Sequence, residues 1–292
     1  MKEVGPFTER VDVKLGRHNV VYGSNNAGKS ALCEAVAAFS GRVNYDRFAS
    51  RWRFCRGSPR NTAIEAVASL RDAATTVSLS QQVLAVRRAA KSPPPQRLRI
   101  EINGNIAPSW PHGLFNVVLL NDDVFRSRAG PKEPLAHAVW FIAQQIDVDE
   151  QNILDSLDQQ LFATSTFGYR VKRRGKQTAD FLVPDGRDFY LPFASLSGGE
   201  RTLAVLDILL KALRADSRNL PWILALDTGF FGRLDTEAKQ HVFDTLTSNS
   251  DLPLQTIFCV TFEKDAEALK AAANDTWISA ASAGKLTVHA FL

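Results

Sequence analysis

The sequence Gly23-Ser24-Asn25-Asn26-Ala27-Gly28-Lys29-Ser30 fits the pattern G-x-x-x-x-G-K-[ST] of a phosphate-binding loop. Residues 19–22 before it are mostly apolar and favour a strand, and residues 31–39 after it have apolar side chains at helical spacing. The motif requires this context, because the loop then presents backbone N–H groups and a lysine to the phosphates. We therefore predict that residues 23–30 and Ala31 bind a nucleotide.

The composition is that of an ordinary globular protein. The 292 residues are 45% hydrophobic and 23% charged, enough to bury a large core in one α/β domain, with or without an inserted subdomain. The net charge of +4 permits a nucleic acid or another anionic partner without demanding one. The apolar runs are far shorter than a membrane span and the first residues lack a secretory signal, so we expect a cytoplasmic protein with no membrane partner.

The three cysteines, Cys33, Cys55 and Cys259, are far apart in the sequence. Their spacing fits neither a disulfide framework nor a zinc-binding motif. Free cysteine is among the most frequently buried residue types and packs like a small apolar side chain. We therefore expect buried thiols at these positions.

An arginine-rich segment, residues 41–60, follows the predicted loop helix. Its arginines are interleaved with aromatic residues, a composition that suits phosphate contact together with base stacking. The same composition also fits a solvated, partly amphipathic face beside the nucleotide site, and the sequence favours neither interpretation. The candidate DNA contacts are Arg47, Arg51, Arg53 and Arg56.

Short alternating segments at 63–70, 75–79 and 97–102 predict an antiparallel sheet inserted after the loop helix. A buried strand is then predicted at 115–120, directly before the polar run Asn121-Asp122-Asp123. Polar residues at such a position either reach a ligand or cap a helix, and a cap is at least as well supported.

The middle of the chain has the patterns of two helices and a hairpin. The helices are predicted over 133–146 and 149–162, and the hairpin pairs 170–174 with 180–183 before a turn leads into 189–191. None of the apolar repeats is long enough for a coiled-coil arm.

A second motif, Leu196-Ser197-Gly198-Gly199-Glu200, precedes an amphipathic helix. A serine and two glycines at a helix N-terminus present unobstructed N–H groups and a hydroxyl where the helix dipole is positive, which is typical of an anion site. An ordinary N-cap would explain Ser197 and Glu200, but it would not explain both glycines.

A third motif is the apolar run 222–226, which ends in Asp227. It predicts a strand that brings the Asp227 carboxylate beside the phosphate loop, where Asp227 and Ser30 hold a hydrated Mg²⁺ ion. A Leu234-Asp235 pair follows after a glycine-containing loop. The pattern also predicts the last core strand at 256–261 and two edge strands, 276–278 and 286–288.

With these three motifs in this order, the chain resembles the ATP-binding-cassette (ABC) type ATPase heads of the SMC, Rad50 and RecF group and the related AAA-like ATPases of bacterial DNA repair and phage defence. The resemblance covers nearly the whole chain. It implies an α/β fold of the P-loop NTPase class with a mostly parallel core sheet, an inserted antiparallel β-subdomain and a helical subdomain. It also implies ATP and Mg²⁺ as the bound groups.

The resemblance divides residues 1–292, a single head, into four segments. They are a phosphate-loop lobe (1–40), an inserted basic segment with the antiparallel sheet (41–125), a helical and signature lobe (126–200), and the Walker B and C-terminal core strands (201–292).

The resemblance also implies roles for the motifs. In that family two heads dimerise head to tail, and each ATP lies between the phosphate loop of one head and the signature of the other. Leu234-Asp235 matches the D-loop, and the signature residues expected to act in trans are Ser197, Gly198, Gly199 and Glu200. We therefore expect an ATP-dependent homodimer or higher oligomer, with Lys29, Asp227 and Thr228 as the catalytic residues.

Three departures from the family's pattern bear on hydrolysis. The Glu that usually follows the Walker B Asp is Thr228 here, and a hydroxyl accepts a proton poorly near neutral pH. The expected switch histidine is Phe262, with Glu263 beside it as a candidate substitute, and the loop before the D-loop is one residue longer. Because the phosphate and metal contacts are all present, we expect ATP binding with slow or impaired hydrolysis.

The leading interpretation is an ATP-operated sensor or clamp in DNA repair or anti-phage defence that touches DNA and controls a separate effector protein. The lack of a coiled-coil pattern favours a compact head like RecF over SMC or Rad50 proper. A structural scaffold in which nucleotide joins subunits is an alternative that Thr228 and Phe262 favour. A transport ATPase subunit is a third, weakened by the basic segments and the absent switch histidine.

Overall fold

A six-stranded mixed sheet forms the centre of the fold. In spatial order its strands are β12 (Trp277–Ala283), β13 (Leu286–Phe291), β1 (His18–Tyr22), β11 (Leu254–Val260), β10 (Trp222–Leu226) and β6 (Asn116–Leu120). Strands β1, β11, β10 and β6 run parallel, and β13 is antiparallel to β1 and β12. The parallel strands predicted around the first and third motifs are thus confirmed.

The computed structural model covers most of the chain. The residues that it describes are 7, 11–41, 44–48, 61–70, 73–83, 96–108, 110, 115–126, 130–158, 166–174, 178–182, 189–216, 218, 220–248, 251–252, 254–273, 277–283 and 286–291. Arg51, Arg53 and Arg56, three of the candidate DNA contacts, lie outside these residues, as does the third cysteine, Cys55.

Helices cover the central sheet. They are α1 (Lys29–Ala37), α2 (Pro134–Ile146), α3 (Glu150–Asp158), α4 (Gly198–Ala215), α5 (Thr228–Phe231), α6 (Thr236–Ser248) and α7 (Glu263–Ala272), and the described residues 44–48 are helical as well. The two helices predicted in the middle of the chain correspond to α2 and α3, and α4 is the helix predicted after the second motif. Within the described part of the chain, no helix is both long and apolar enough to cross a membrane.

Alternate residues of the central strands face two separate cores. In β11, Ile257 and Cys259 are buried in one core with α1, whereas Phe258 and Val260 are buried in the other with α2 and α4. Strands that are covered on both faces are apolar at successive positions, which explains the continuous apolar runs in the sequence.

Two antiparallel sheets lie outside the central one. The first consists of β2 (Asn61–Leu70), β3 (Ala73–Val83), β4 (Gln96–Ile102) and β5 (Asn105–Ile106), and it confirms the predicted inserted sheet. Ile64 and Val77 of this sheet are buried in the same core as α1. The second consists of β7 (Arg170–Arg173), β8 (Ala179–Leu182) and β9 (Leu191–Pro192), and β7 with β8 forms the predicted hairpin.

The C-terminal strands differ from the expectation of two edge strands. β12 is an edge, but β13 lies inside the sheet, paired with β1 on one side and with β12 on the other. Its Leu286, Val288 and Ala290 are buried in the core that contains α1. The prediction was wrong because alternation in a short strand shows that one face is buried but not which strands pair with it.

A buried ion pair joins α6 to α7. Lys239 Nζ donates a 2.7 Å hydrogen bond to Asp265 Oδ2, and Thr236 Oγ1 donates one of 2.9 Å to Oδ1. Burial alone would raise the pKa of Asp265, but the hydrogen bonds from Lys239 and Thr236 outweigh it, so the pKa is lowered overall. Because α6 begins directly after Asp235, this pair fixes the helix that follows Leu234-Asp235.

We predict that Asp265→Ala lowers the free energy of unfolding by about 3–5 kcal/mol, because it leaves the Lys239 ammonium buried without a partner. Urea denaturation measures the change. Lys239→Met combined with Asp265→Leu should recover most of it, since both charges are then removed. A loss below about 1 kcal/mol in the single variant would contradict a buried, paired lysine.

The same ion pair predicts a dependence on pH. A carboxyl whose pKa is depressed by folding stabilises the protein above its unfolded pKa of about 3.9, and the stabilisation is lost as the pH falls through the lower folded value. The difference in unfolding free energy between wild type and the Lys239→Met, Asp265→Leu variant should therefore shift against the wild type as the pH falls below about 4. A difference independent of pH would contradict this.

Candidate nucleotide-binding site

The loop of the first motif joins β1 to α1 through a left-handed glycine. Gly28 has φ +111°, a region that favours glycine, and a Cβ at this position would collide with the ring of Phe7. Gly28 is the N-cap of α1, and no side chain caps this helix. Among the described residues, the first N–H groups of α1 therefore have no side-chain acceptor, and an anion at the loop would satisfy them.

The Lys29 side chain folds back onto the loop. Its Nζ donates hydrogen bonds to Gly23 O at 2.6 Å and Ser24 O at 3.0 Å. Burial lowers the pKa of Lys29, and the charges of Cys259, Asp227 and Cys33 act in the opposite direction. A buried cation held by neutral carbonyls gains energy from an anionic partner, because burial makes the attraction between opposite charges stronger.

Ser30 and Asp227 meet beside this lysine, although they are far apart in the sequence. Ser30 Oγ donates a 2.8 Å hydrogen bond to Asp227 Oδ1, and Thr228 Oγ1 lies 3.3 Å from the same oxygen. The pairing of β10 with β6 continues to this point, because Asp227 N donates to Leu120 O. A hydroxyl and a carboxylate are oxygen ligands of the kind that Mg²⁺ prefers, so the residues fit the metal predicted for this position.

The second motif begins α4 with a capping box. Ser197 Oγ accepts a hydrogen bond from Glu200 N, and Glu200 Oε2 accepts one from Ser197 N. The N-cap interpretation is therefore confirmed for these two residues. The cap uses the Ser197 oxygen as an acceptor, which leaves the hydroxyl proton available to donate to another group.

The two glycines of this motif are not required by the packing of the described residues. A Cβ at Gly198 would have nothing within 4 Å, and one at Gly199 would make an ordinary contact of 3.7 Å with Arg233 O. Neither glycine has a left-handed φ. Contacts among the described residues therefore do not require glycine at these two positions. The missing side chains leave the start of α4 open to approach from outside.

Asp122 lies next to the segment that follows Asp227, but its charge is already neutralised. A Cβ at Gly229 would lie 3.0 Å from Asp122 Cβ, and the Asp122 carboxylate forms ion pairs with Arg126 and Arg233. These two ion pairs engage both carboxylate oxygens of Asp122. Asp122 is thus a poor substitute for a Glu at position 228.

The polar run after β6 contains a helix cap, as one of the two interpretations predicted. Asn121 Oδ1 accepts a hydrogen bond from Asp123 N at the start of a 3-10 helix, Asp122–Phe125. Asp123 also forms a 3.4 Å ion pair with Arg47, whose guanidinium lies 5.8 Å from the centre of the Phe141 ring. Arg47 therefore has partners within the chain, and its contact with DNA stays a prediction.

The segment between Asp227 and Leu234 contains the short helix α5. Phe230 and Phe231 of this helix are fully buried and anchor the segment in the core. Leu234 is buried, and the Asp235 carboxylate accepts a hydrogen bond from Ala238 N, which caps α6. Phe262, at the position expected for the switch histidine, is 61% exposed and forms the N-cap residue of α7.

Two buried thiols are in contact with each other, which the sequence did not indicate. Cys33 of α1 and Cys259 of β11 have their Sγ atoms 3.3 Å apart, although 226 residues separate them. The hydrogen bond with Cys259 and complete burial raise the pKa of the Cys33 thiol. The expectation of buried thiols is confirmed for both residues, but no spacing in the sequence indicates that they meet.

Comparison with solved structures identifies the fold. One match is a structure described as the SmcHead bound to the C-winged helix domain of ScpA, at 15% identity and a TM-score of 0.61, covering 100% of this chain and 96% of that one. Another is the Smc head domain with an extended coiled coil bound to the C-terminal domain of ScpA from Pyrococcus furiosus, at 14% identity and a TM-score of 0.54, covering 98% and 94%. No protein-family model and no curated protein matches the chain. The chain therefore has the fold of an SMC-like ATPase head.

We predict opposite outcomes for alanine at two glycines of the site. Gly28→Ala should lower the free energy of unfolding by about 1–3 kcal/mol, because alanine is strained at a positive φ and Phe7 must move. Gly198→Ala should stay within about 0.5 kcal/mol of wild type, since the position is open and begins a helix. Thermal or urea unfolding of both variants tests this, and equal effects would contradict the loop geometry.

Proposed function

We propose that this chain is an ATP-binding head that associates with a second copy of itself around the nucleotide and hydrolyses it slowly. The observation that carries the proposal is the convergence of Lys29, Ser30 and Asp227 beside the uncapped N-terminus of α1. A buried cation, free N–H groups and a hydroxyl–carboxylate pair together suit a triphosphate with its metal ion.

Different residues of the site would hold the phosphates and the metal ion. The Lys29 ammonium and the N–H groups of residues 23–31 would hold the phosphates, and Lys29 would exchange its bonds to the Gly23 and Ser24 carbonyls for bonds to phosphate oxygens. Ser30 and Asp227 would hold Mg²⁺, whose positive charge offsets that of the phosphates. The hydrogen bond between Ser30 and Asp227 holds these two groups side by side.

Slow hydrolysis follows from the groups next to Asp227. Thr228 can hold a water molecule by a hydrogen bond but cannot accept its proton near neutral pH, and Asp122 is occupied by two arginines. Phe262 offers no titratable group where a switch histidine is expected, and Glu263 next to it is exposed. We propose Lys29, Asp227 and Thr228 as the residues that act on the nucleotide and its attacking water.

The association of two heads is proposed from the second motif. Ser197 keeps a hydroxyl proton to donate, and Gly198 and Gly199 leave the start of α4 uncovered, so this end can approach the phosphates bound by another copy. Glu200 would hold Ser197 in place through the capping box, and Asp235 would lie at the same interface.

The biological role that we propose is a sensor or clamp in DNA repair or anti-phage defence, with a protein effector. The solved heads of similar fold are described as bound to domains of ScpA, which supports a protein partner for this head as well. The division into segments 1–40, 41–125, 126–200 and 201–292 is part of this proposal. Segment 41–125 also contains β6, which belongs to the central sheet. A nucleotide-held structural scaffold is the second candidate, because Thr228 and Phe262 both disfavour turnover.

We predict that Lys29→Ala weakens ATP binding by about 10- to 150-fold, the range expected when a hydrogen bond to a charged group is lost. Fluorescence titration with an ATP analogue in the presence of Mg²⁺ measures the affinity. Lys14→Ala is the matched control, because Lys14 is exposed on the segment before β1. Equal affinities for wild type and Lys29→Ala would reject the nucleotide site.

We predict that Thr228→Glu increases hydrolysis by at least about 10-fold, because it restores a carboxylate that can accept the proton of the attacking water. Single-turnover measurements with bound ATP separate the chemical step from product release. Thr228→Gln is the control, since it has a similar size without a basic group. A wild-type rate of about 1 per second or faster, unchanged by Thr228→Glu, would contradict impaired hydrolysis.

A further inference from the structure

We propose that Cys33, Cys259 and Asp227 form a binding site for a thiophilic divalent cation, Zn²⁺ in the first place, which competes with the Mg²⁺–nucleotide complex. One ligand atom from each of the three residues lies within 4.8 Å of the other two, and all three residues are buried. Two thiolates with a carboxylate are a donor set that zinc takes, with the fourth position open to water.

The separation of the two sulfur atoms fits a metal better than a disulfide. They lie 3.3 Å apart, whereas two thiolates on tetrahedral zinc, each about 2.3 Å from the metal, lie about 3.8 Å apart. The sulfurs would therefore separate by only about 0.5 Å. A disulfide would require them to approach by about 1.25 Å between a helix and a central strand, both packed in the core.

Charge balance supports the same ligand. Lys29 lies close enough to Cys259, Asp227 and Cys33 for their charges to act on its pKa. Two thiolates and one carboxylate would supply three negative charges, which match the two charges of Zn²⁺ and the one of Lys29. A buried cluster that is neutral as a whole avoids the cost of an uncompensated buried charge.

The position of Asp227 makes the site antagonistic to nucleotide. Its Oδ1 already interacts with Ser30 and Thr228, and Oδ2 accepts no hydrogen bond from the described residues, so a thiol-bound metal can use it. Both thiols are fully buried, but Asp227 is 8% exposed and Ser30 is half-buried, so the cation can enter from the side of the phosphate loop. A carboxylate bound to zinc is drawn away from the Mg²⁺ site. This antagonism, unlike the metal binding itself, rests on the proposed function.

Cadmium binding to the full, reduced, nucleotide-free chain tests the metal site without any reference to ATP. Cd²⁺ bound to thiolates absorbs in the near ultraviolet, so one equivalent should produce this absorption in wild type and in Cys55→Ser, the matched control. Cys33→Ala and Cys259→Val should each lose most of this absorption. In competition with a chelator, their Zn²⁺ affinity should fall more than about 100-fold, which exceeds the loss expected when a residue that only supports a metal ligand is changed.

Asp227→Asn provides a second readout that keeps both thiols and the size of the side chain. It should retain the thiolate absorption of Cd²⁺ while its affinity for Zn²⁺ falls. Absence of the absorption in folded wild type, its persistence in the Cys33→Ala, Cys259→Val double variant, or loss of both free thiols to a disulfide on air oxidation would overturn the site.

Competition with nucleotide is the final arm of the test. Saturating Zn²⁺ should weaken Mg²⁺–ATP binding at least about 10-fold in wild type and Cys55→Ser, but not in Cys33→Ala. ATP affinity unchanged by Zn²⁺ in wild type would overturn the antagonism. If ATP fails to bind without Zn²⁺, the proposed function fails, while the cadmium experiment still decides whether the metal site exists.

Discussion

The hydrogen bond from Ser30 to Asp227 joins two parts of the chain that are 197 residues apart, and the candidate site depends on it. It forms because β1, β11 and β10 are parallel neighbours, so that the loop after β1 and the carboxylate after β10 reach the same edge of the sheet. The apolar residues of these strands are buried on both faces, which keeps the two groups in register. The packing of the apolar core thus holds the Ser30 and Asp227 side chains within hydrogen-bonding distance.

Nucleotide binding and hydrolysis require different chemical groups at this site. Binding needs a cation, N–H donors and two oxygen ligands, and in the proposed function Lys29, the start of α1, Ser30 and Asp227 would supply them. Hydrolysis further needs a proton acceptor next to Asp227, where this chain has a hydroxyl. The Asp122 carboxylate, in the 3-10 helix after β6, forms ion pairs with Arg126 and Arg233. In the proposed function, such a site would bind a nucleotide and cleave it slowly, as a switch requires.

Much of the fold was predictable because its elements carry local signals. The strand before the loop, the helix after it, the inserted sheet and the capping box at Ser197 and Glu200 all follow from patterns within about ten residues. What depends on distant contacts was not predictable. The interior position of β13 and the contact between Cys33 and Cys259 arise from strand pairing, which short sequence patterns do not specify. The cysteines show this most clearly, since their spacing fits neither a disulfide framework nor a zinc-binding motif, although the fold brings Cys33 and Cys259 together.

The claim that the site is completed by a second copy of the chain can be tested most directly by mixing two variants. Lys29→Ala disables the phosphate loop, and Gly198→Arg, at a position with open space around it, blocks the start of α4. With ATP and Mg²⁺, light scattering should show each variant alone as a monomer and the equimolar mixture as a dimer, because the mixture restores one loop facing one intact α4. A mixture that stays monomeric under conditions where wild type dimerises would contradict a shared site.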